Sequence, residues 1–335
     1  MSVRCILLTG ATGGLGIACA RELIARGHTV RAVGRNAEAG RELEALGAQF
    51  LAFDLEKRRD LSGVLKGCDS VIHAAALSAS WGPTEAFQSA NVDVTARLLD
   101  AAPGSGARRF VFISSPSIFA DFKDRSGIRE NDAPAEPPLN HYAKTKLAAE
   151  RLVLAGRSEA MACCAIRPRA LVGERDQVIL PKLAEMAKRR RIPMPRDGRA
   201  LIELTDLRDA AWAICEAEER AERLHGRAIN ISGGQPLPVR QIAQSLARAL
   251  GQTPQFANPP MAILRALAIA LEAMAGLAGQ VEEPALTRYT LATLAYSQSF
   301  DLAAAKRLLG YTPQFDGLAT LLEQARRVQT QEQPA

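Results

Sequence analysis

Cysteine is scarce and unpatterned. The 335 residues hold six, Cys5, Cys19, Cys68, Cys163, Cys164 and Cys215, with no CxxC pair and no histidine at metal-ligand spacing. That spacing offers no metal centre and no disulfide framework, which suits a reducing cytoplasm. Cys5, Cys163 and Cys164 lie inside apolar strand-like runs, where a thiol acts as a small hydrophobe. Aromatics make up only 5%, against abundant Ala, Leu and Arg, a helix-favouring mixture. Charge of one sign is also nearly lacking: 42 Lys and Arg against 36 Asp and Glu leave +6. So mild an excess is compatible with an anionic cofactor and too weak to argue for nucleic acid. The N-terminal MSVRCILLTG lacks the apolar core and cleavage site of a signal peptide. Repeats and low-complexity stretches are missing too. What remains, 47% hydrophobic and 23% charged, belongs to a globular protein of one large two-part unit or two domains.

The first half alternates short apolar runs with helical patterns. Strands are expected at 4–9, 29–34, 49–53, 70–74, 109–114 and 162–167, and helices at 15–26, 37–46, 58–66, 84–102 and 141–156. Strand–helix–strand repetition at this interval implies right-handed crossovers and a doubly wound parallel sheet of Rossmann type. Beyond about 175 the pattern loosens: helices near 180–190, 206–222 and 238–250, with a strand at 227–231 that looks like a return to the main sheet. The expected division is therefore interleaved, with 1–175 and the returning strand binding a dinucleotide. Residues 176–226 and 232–330 then form a smaller, mostly helical substrate domain.

The first strand runs directly into Gly10-Ala11-Thr12-Gly13-Gly14-Leu15-Gly16 and then a helix. Gly10 suits a tight turn, Gly13 a close pyrophosphate and Gly16 close packing of helix on strand, while the helix N-terminus offers N–H groups to an anion. The strand–loop–helix context is what gives a glycine pattern meaning. TGxxGxxG resembles the form used by short-chain dehydrogenases/reductases. About 20 residues on, where a carboxylate would hold the ribose of NAD, stands Gly34-Arg35-Asn36. An arginine there accommodates a 2′-phosphate, so NADP(H) is favoured over NAD(H). A plain surface arginine is the alternative. In the same superfamily an Asp after the third strand contacts adenine, here Asp54-Leu55, and small residues after the fourth, here His73-Ala74-Ala75, lie against the cofactor. His73 itself reads as a packed strand-end histidine.

Strand 109–114 delivers Ser114, Ser115, Pro116 and Ser117 to the rim where open α/β sheets bind ligands. Tyr142-Ala143-Lys144-Thr145-Lys146 follows, with Tyr142 and Lys146 on one face of an expected helix. A neighbouring ammonium would lower the phenol pKa, normally about 10, and fit Tyr142 for acid/base work. Ser115 would donate to the carbonyl oxygen.

With these pieces together the chain resembles an extended short-chain dehydrogenase/reductase over nearly its whole length. The family's SSxxVYG element reads here as Ser114-Ser115-Pro116-Ser117-Ile118-Phe119-Ala120, with Phe119 and Ala120 departing from the pattern. The resemblance implies Ser115, Tyr142 and Lys146 as the catalytic set, with Ser117 as a second hydroxyl. It also implies that Lys146 bridges the nicotinamide ribose. Asn91 matches the NVxGTxxLL asparagine that supports the active-site helix. Arg167-Pro168 begins the RPxxxxG segment beside the nicotinamide, ending at Gly173. Sugar-nucleotide dehydratases carry an Asp-Glu pair after the catalytic Ser/Thr; Pro116-Ser117 here makes that chemistry unfit.

Segments 204–214, 228–246 and 286–311 resemble the 3β-hydroxysteroid dehydrogenase-like branch, including reductases of 2-alkyl-3-ketoalkanoic acids. Residues 261–278 are apolar except for Arg265 and Glu272, too charged for a membrane span. Such a helix suits a pocket roof, a membrane surface or an ordinary core or dimer contact. Lys188-Arg189-Arg190-Arg191 reads as a solvated helix end rather than a nucleic-acid patch. The expected protein is a cytoplasmic NADP(H)-dependent oxidoreductase interconverting ketone and secondary alcohol on a hydrophobic molecule. As in relatives, helices 84–102 and 141–156 would pair in a homodimer. A sugar-nucleotide epimerase with bound NAD(P) is the first rival, and a non-catalytic NADP-sensing regulator the second.

Overall fold

In the first strand, β1 (Cys5–Thr9), successive side chains point to opposite faces, as the two-residue period of a strand requires. Ile6 and Leu8 enter one core and Leu7 the other. The computed structural model describes residues 2–156, 160–176, 191–253 and 255–332. Following β1 come α1 (Gly14–Ala25), β2 (Thr29–Gly34), α2 (Ala37–Ala45), β3 (Gln49–Ala52), α3 (Ser62–Leu65) and β4 (Ser70–His73). Next are α4 (Thr84–Phe87), α5 (Val94–Ala101), β5 (Arg109–Ile113), α6 (His141–Ala155) and β6 (Ala162–Pro168). The last sheet strand, β7 (Ala228–Ile231), follows α7 (Leu207–Glu219).

These strands form one seven-stranded sheet, ordered β7-β6-β5-β4-β1-β2-β3, every pairing parallel. Helices α1 and α7 bury Ile17, Leu23, Ile214 and Cys215 on the face of Ile6 and Val111. Helices α5 and α6 bury Leu98, Ala149 and Val153 on the face of Leu7 and Phe110. The fold is the expected Rossmann-type doubly wound sheet, with 227–231 returning to its edge. The strand order reverses between β1 and β4, which opens a crevice at their carboxyl ends.

Two helices differ from their sequence patterns. The stretch 58–66 keeps only the short turn of α3, because Lys57-Arg58-Arg59-Asp60 has no apolar face to bury. The stretch 84–102 is interrupted by a π-helical turn at Gln88–Asp93 between α4 and α5. The helix expected near 180–190, and Lys188, Arg189 and Arg190, lie outside the described residues; Arg191 opens a short strand to Pro193.

The C-terminal part is mostly helical: α8 (Val239–Ala249), α9 (Met261–Leu277), α10 (Arg288–Ala295), α11 (Ala303–Leu309) and α12 (Gly317–Glu332). Helices α8 and α12 share the core of Ile242, Leu246, Leu321 and Ala325. Residues Gln298–Phe300 pair with Arg125–Ile128, which brings the end of α10 back over the loop after β5. Helix α9 is an outer layer and not a core helix. It buries Leu264, Ala268 and Ala275 and exposes Ile263, Leu267, Ile269, Met274 and Leu277. Among the described residues no helix is long and apolar enough to cross a membrane.

Candidate active site

Strand β1 ends in a turn only glycine makes easily: Gly10 has φ +68°, and a Cβ there would fall 2.6 Å from the Ala75 backbone nitrogen. Ala74 and Ala75 thus sit directly against the glycine loop. A Cβ at Gly16 would meet the Gly10 carbonyl oxygen at 2.3 Å, so the close packing expected of Gly16 is made on the loop itself. Gly13 precedes α1 without a capping side chain, and the first turn of α1 holds no acidic residue. The opening N–H groups of α1 are therefore left for an anion, the requirement of a pyrophosphate site. Thr12 packs on Gly34, holding the loop to the end of β2, and Leu15 packs against the core below.

At the crevice rim Arg35 is exposed, with its Nη1 3.8 Å from Glu56. Asp54 Oδ1 accepts from the Glu56 and Lys57 N–H groups. Slight burial works against the Asp54 carboxylate, but those two donors and the Arg35 charge outweigh it and hold its pKa low. Leu55 turns into the core while its carbonyl accepts from Arg97 at 2.6 Å.

The π turn delivers Asn91 inward. Its amide takes the Leu77 N–H at 2.7 Å and donates to the Leu77 carbonyl and the Thr145 hydroxyl. Asn91 thereby ties the loop after β4 to α6. Beneath it His73 is fully buried between the Thr9 and Thr95 hydroxyls, at 2.7 and 3.0 Å. Burial, helped by the Lys146 charge, lowers its pKa to about 3, so it stays neutral as a packing group.

The loop after β5 folds into a 3₁₀ turn, Pro116–Phe119, whose first N–H groups are capped by Ser115 Oγ accepting from Ser117 at 3.2 Å. Phe119, standing where the family pattern has Tyr, is fully buried against Phe300. Asn140 caps α6, and Tyr142 follows in its first turn. The Ser115 side chain stands beside the Tyr142 phenol and favours its ionised form. One turn on, Lys146 donates to the Ile113 carbonyl with its ammonium 4.1 Å from the Phe112 ring centre. The structure therefore gathers Ser115, Tyr142 and Lys146 at one rim.

The expected lowering of the Tyr142 pKa is not found. Burial dominates and pushes it up to about 12, against the effect of Ser115 and with a small further push from the Tyr289 phenol. Lys146 is itself desolvated and drops to about 7, although Glu150 pulls it back upward. A cation spent on the Ile113 carbonyl and half-neutralised near pH 7 gives the phenol little help.

Two arginines stand at the end of β6. Arg167, buried, grips Glu150 of α6 with Nε and Nη2 at 2.8 and 2.6 Å and donates to the Glu130 carbonyl. This is a clamp between α6 and β6. Pro168 ends the strand, buried, and Gly173 closes the segment with φ +154°. Arg169 and Tyr289, which the motifs did not single out, act electrostatically on one another, and Tyr289 acts on Tyr142. A charged residue directly after Arg167-Pro168 was the only local signal for the first. The second comes from a helix 147 residues after Tyr142.

A parallel sheet with a glycine loop at its switch point and a Ser–Tyr–Lys set on the neighbouring rim defines a dinucleotide-dependent α/β enzyme. The NAD dependent epimerase/dehydratase family matches residues 6–232, and the chain belongs to it. It is 32% identical over 314 residues to the 2-alkyl-3-oxoalkanoate reductase of Stenotrophomonas maltophilia, covering 92% of this chain and 94% of the relative. It is 26% identical over 263 residues to the human sterol-4-alpha-carboxylate 3-dehydrogenase, decarboxylating, covering 76% and 69%. Among solved structures, MoeE5 in complex with UDP-glucose and NAD superposes with a TM-score of 0.75 at 26% identity, covering 96% and 99%. Likeness to both a keto-acid reductase and a sterol dehydrogenase bears out the branch to which the C-terminal segments pointed.

Proposed function

We propose that the chain is an NADP(H)-dependent reductase interconverting a ketone and a secondary alcohol on a hydrophobic substrate, of 3-oxo/3-hydroxy acid or steroid-like class. The carrying observation is that Ser115 at the β5 rim acts on the Tyr142 phenol, with Lys146 one turn along α6. The bound nicotinamide supplies the hydride. Tyr142 gives its proton to the ketone oxygen as negative charge develops there, and Ser115 holds that oxygen by a hydrogen bond. A phenol at about 12 is fully protonated at neutral pH, which suits the donor role in the reductive direction. Lys146 anchors the ribose, and Arg167 and Asn91 keep α6 in register.

Arg35 supports NADP(H): it stands where NAD-binding chains carry a carboxylate, and its exposed 3.8 Å pair with Glu56 is weak enough to yield to a phosphate. The exposed apolar face of α9 supports peripheral contact with a lipid surface. Leu152, exposed on α6, supports a homodimer through α5 and α6, and the six free thiols a cytoplasmic location.

The likeness to MoeE5 favours a second reading, a sugar-nucleotide epimerase using the same Ser–Tyr–Lys set with no net redox change. The regulator alternative has nothing to favour it, since the Tyr–Lys pair is intact. The direct test of the proton donor is Tyr142→Phe. Turnover should fall about 10²–10⁴-fold with NADPH binding retained by fluorescence. Near-normal turnover would remove Tyr142 from the chemistry.

A further inference from the structure

Arg167 and Arg169 are the buried arginines among the described residues, 6% and 7% exposed, and they are held very differently. Arg167 has its bidentate carboxylate partner, Glu150. For Arg169 no carboxylate stands within ion-pair distance among the described residues, and its Nε has no hydrogen-bond partner. A buried guanidinium without an anion is costly, and folded proteins seldom keep one. Its backbone, by contrast, is firmly fixed: the N–H donates to the Ile231 carbonyl and the carbonyl accepts from the Thr205 hydroxyl. The backbone is thus fixed while the buried Nε is left without a partner.

Its place points to the substrate. Arg169 stands three residues beyond Ile166, which pairs with Ile113, and Ser114 donates its N–H to the Ile166 carbonyl. Arg169 and Ser115 therefore leave the sheet at the same rim. The Tyr289 phenol of α10 acts electrostatically on both Arg169 and Tyr142, which places the cation and the proton donor within reach of one side chain's field. Two more buried groups lack partners close by, the Ser114 and Ser117 hydroxyls. Glu203 is the nearest acid acting on Arg169, but it is occupied by the Phe300 N–H and the Ser232 hydroxyl. Burial raises the Glu203 pKa and weakens it as a counter-charge.

We propose that Arg169 is the anion-binding residue of the substrate pocket and receives the carboxylate of a 3-oxo acid whose ketone lies at Tyr142. This rests on the reductase reading and sharpens it: the substrate is the free acid anion rather than a neutral ketone or ester. A guanidinium meeting a carboxylate in a dry pocket binds with both charge and bidentate geometry, and a neutral ester offers it neither.

The test compares 3-oxodecanoate with its methyl ester as substrates for NADPH oxidation, in the wild type, Arg169→Gln and Arg169→Lys. The wild type should prefer the acid. The glutamine variant should lower kcat/KM for the acid roughly 100-fold relative to the ester, mainly through KM, and lysine should restore part of the preference. NADPH fluorescence on each variant checks that the cofactor site is intact. If the glutamine variant fails to bind NADPH, the wild-type preference and the lysine variant decide. Equal use of acid and ester by the wild type, or an equal loss for both in the variants, would overturn the Arg169 assignment alone. Oxidation of NADPH by neither substrate would overturn the reductase reading with it.

Discussion

Lys146 shows how much of the site is written in short spacings and how much depends on surroundings. Ser115, Tyr142 and Lys146 were legible because each lies at a fixed offset from a strand end or a helix turn, and the structure brings them together. Their ionisation was not legible. Burial is a property of the folded rim, and it reverses the expected shift of Tyr142 and brings Lys146 down to about 7. Lys146 ionises near 10.4 in an unfolded chain. Between pH 7 and 10 the unfolded chain therefore binds more protons than the folded one. The stability penalty of burying this cation is full below pH 7 and shrinks as pH rises. Replacing it with an uncharged side chain of similar length should expose that penalty. Lys146→Met should raise the thermal midpoint at pH 6 by ~3 °C or more while abolishing turnover, and the gain should be smaller at pH 9. A lower midpoint at pH 6 would mean that the bond to Ile113 outweighs the desolvation.

At the scale of elements, the seven sheet strands were legible because two-residue alternation, or a wholly apolar run, survives in each of them. The π turn was not: one extra residue at Gln88–Asp93 leaves the apolar stripe of α4 and α5 nearly in phase, yet it is what turns Asn91 inward. Such turns recur at functional sites. The setting of α6 against β6 is equally invisible in sequence, since Glu150 looks like an ordinary surface charge and nothing pairs it with Arg167 until both are buried together. Removing one partner leaves a buried charge with nothing to meet it. Glu150→Leu should destabilise the protein by about 3–5 kcal/mol in urea unfolding, and adding Arg167→Met should recover most of that. Equal losses in the single and double variants would show that the pair does not act as a unit.

On the scale of the whole molecule, the chain leaves the sheet after β6, builds the 191–226 segment, returns as β7 and then continues into the C-terminal helices. That path explains why the sheet half was readable and the rest was not. The glycine loop, Asp54 and Ala74 are local to their strands. Arg169 and Tyr289 act on one another across 120 residues, through pairings such as Gln298–Phe300 on Arg125–Ile128 that no short pattern announces. Helix α9 is packed on α10 and fastened to it by Glu272 and Arg288, leaving its outer apolar face exposed. Trp81, on the loop after β4, reaches the end of α9 through the Gln280 carbonyl.

The most direct test of a reductase built on the β5 rim follows nicotinamide absorbance with the purified protein. NADPH and then NADH are offered with medium and long 3-oxo acids and ketosteroids, and separately with nucleotide sugars. Net oxidation of NADPH with the hydrophobic pool only, and slower oxidation of NADH, is the expected result. No net oxidation, together with conversion of a nucleotide sugar to its epimer, would contradict it and place the chain with the epimerases.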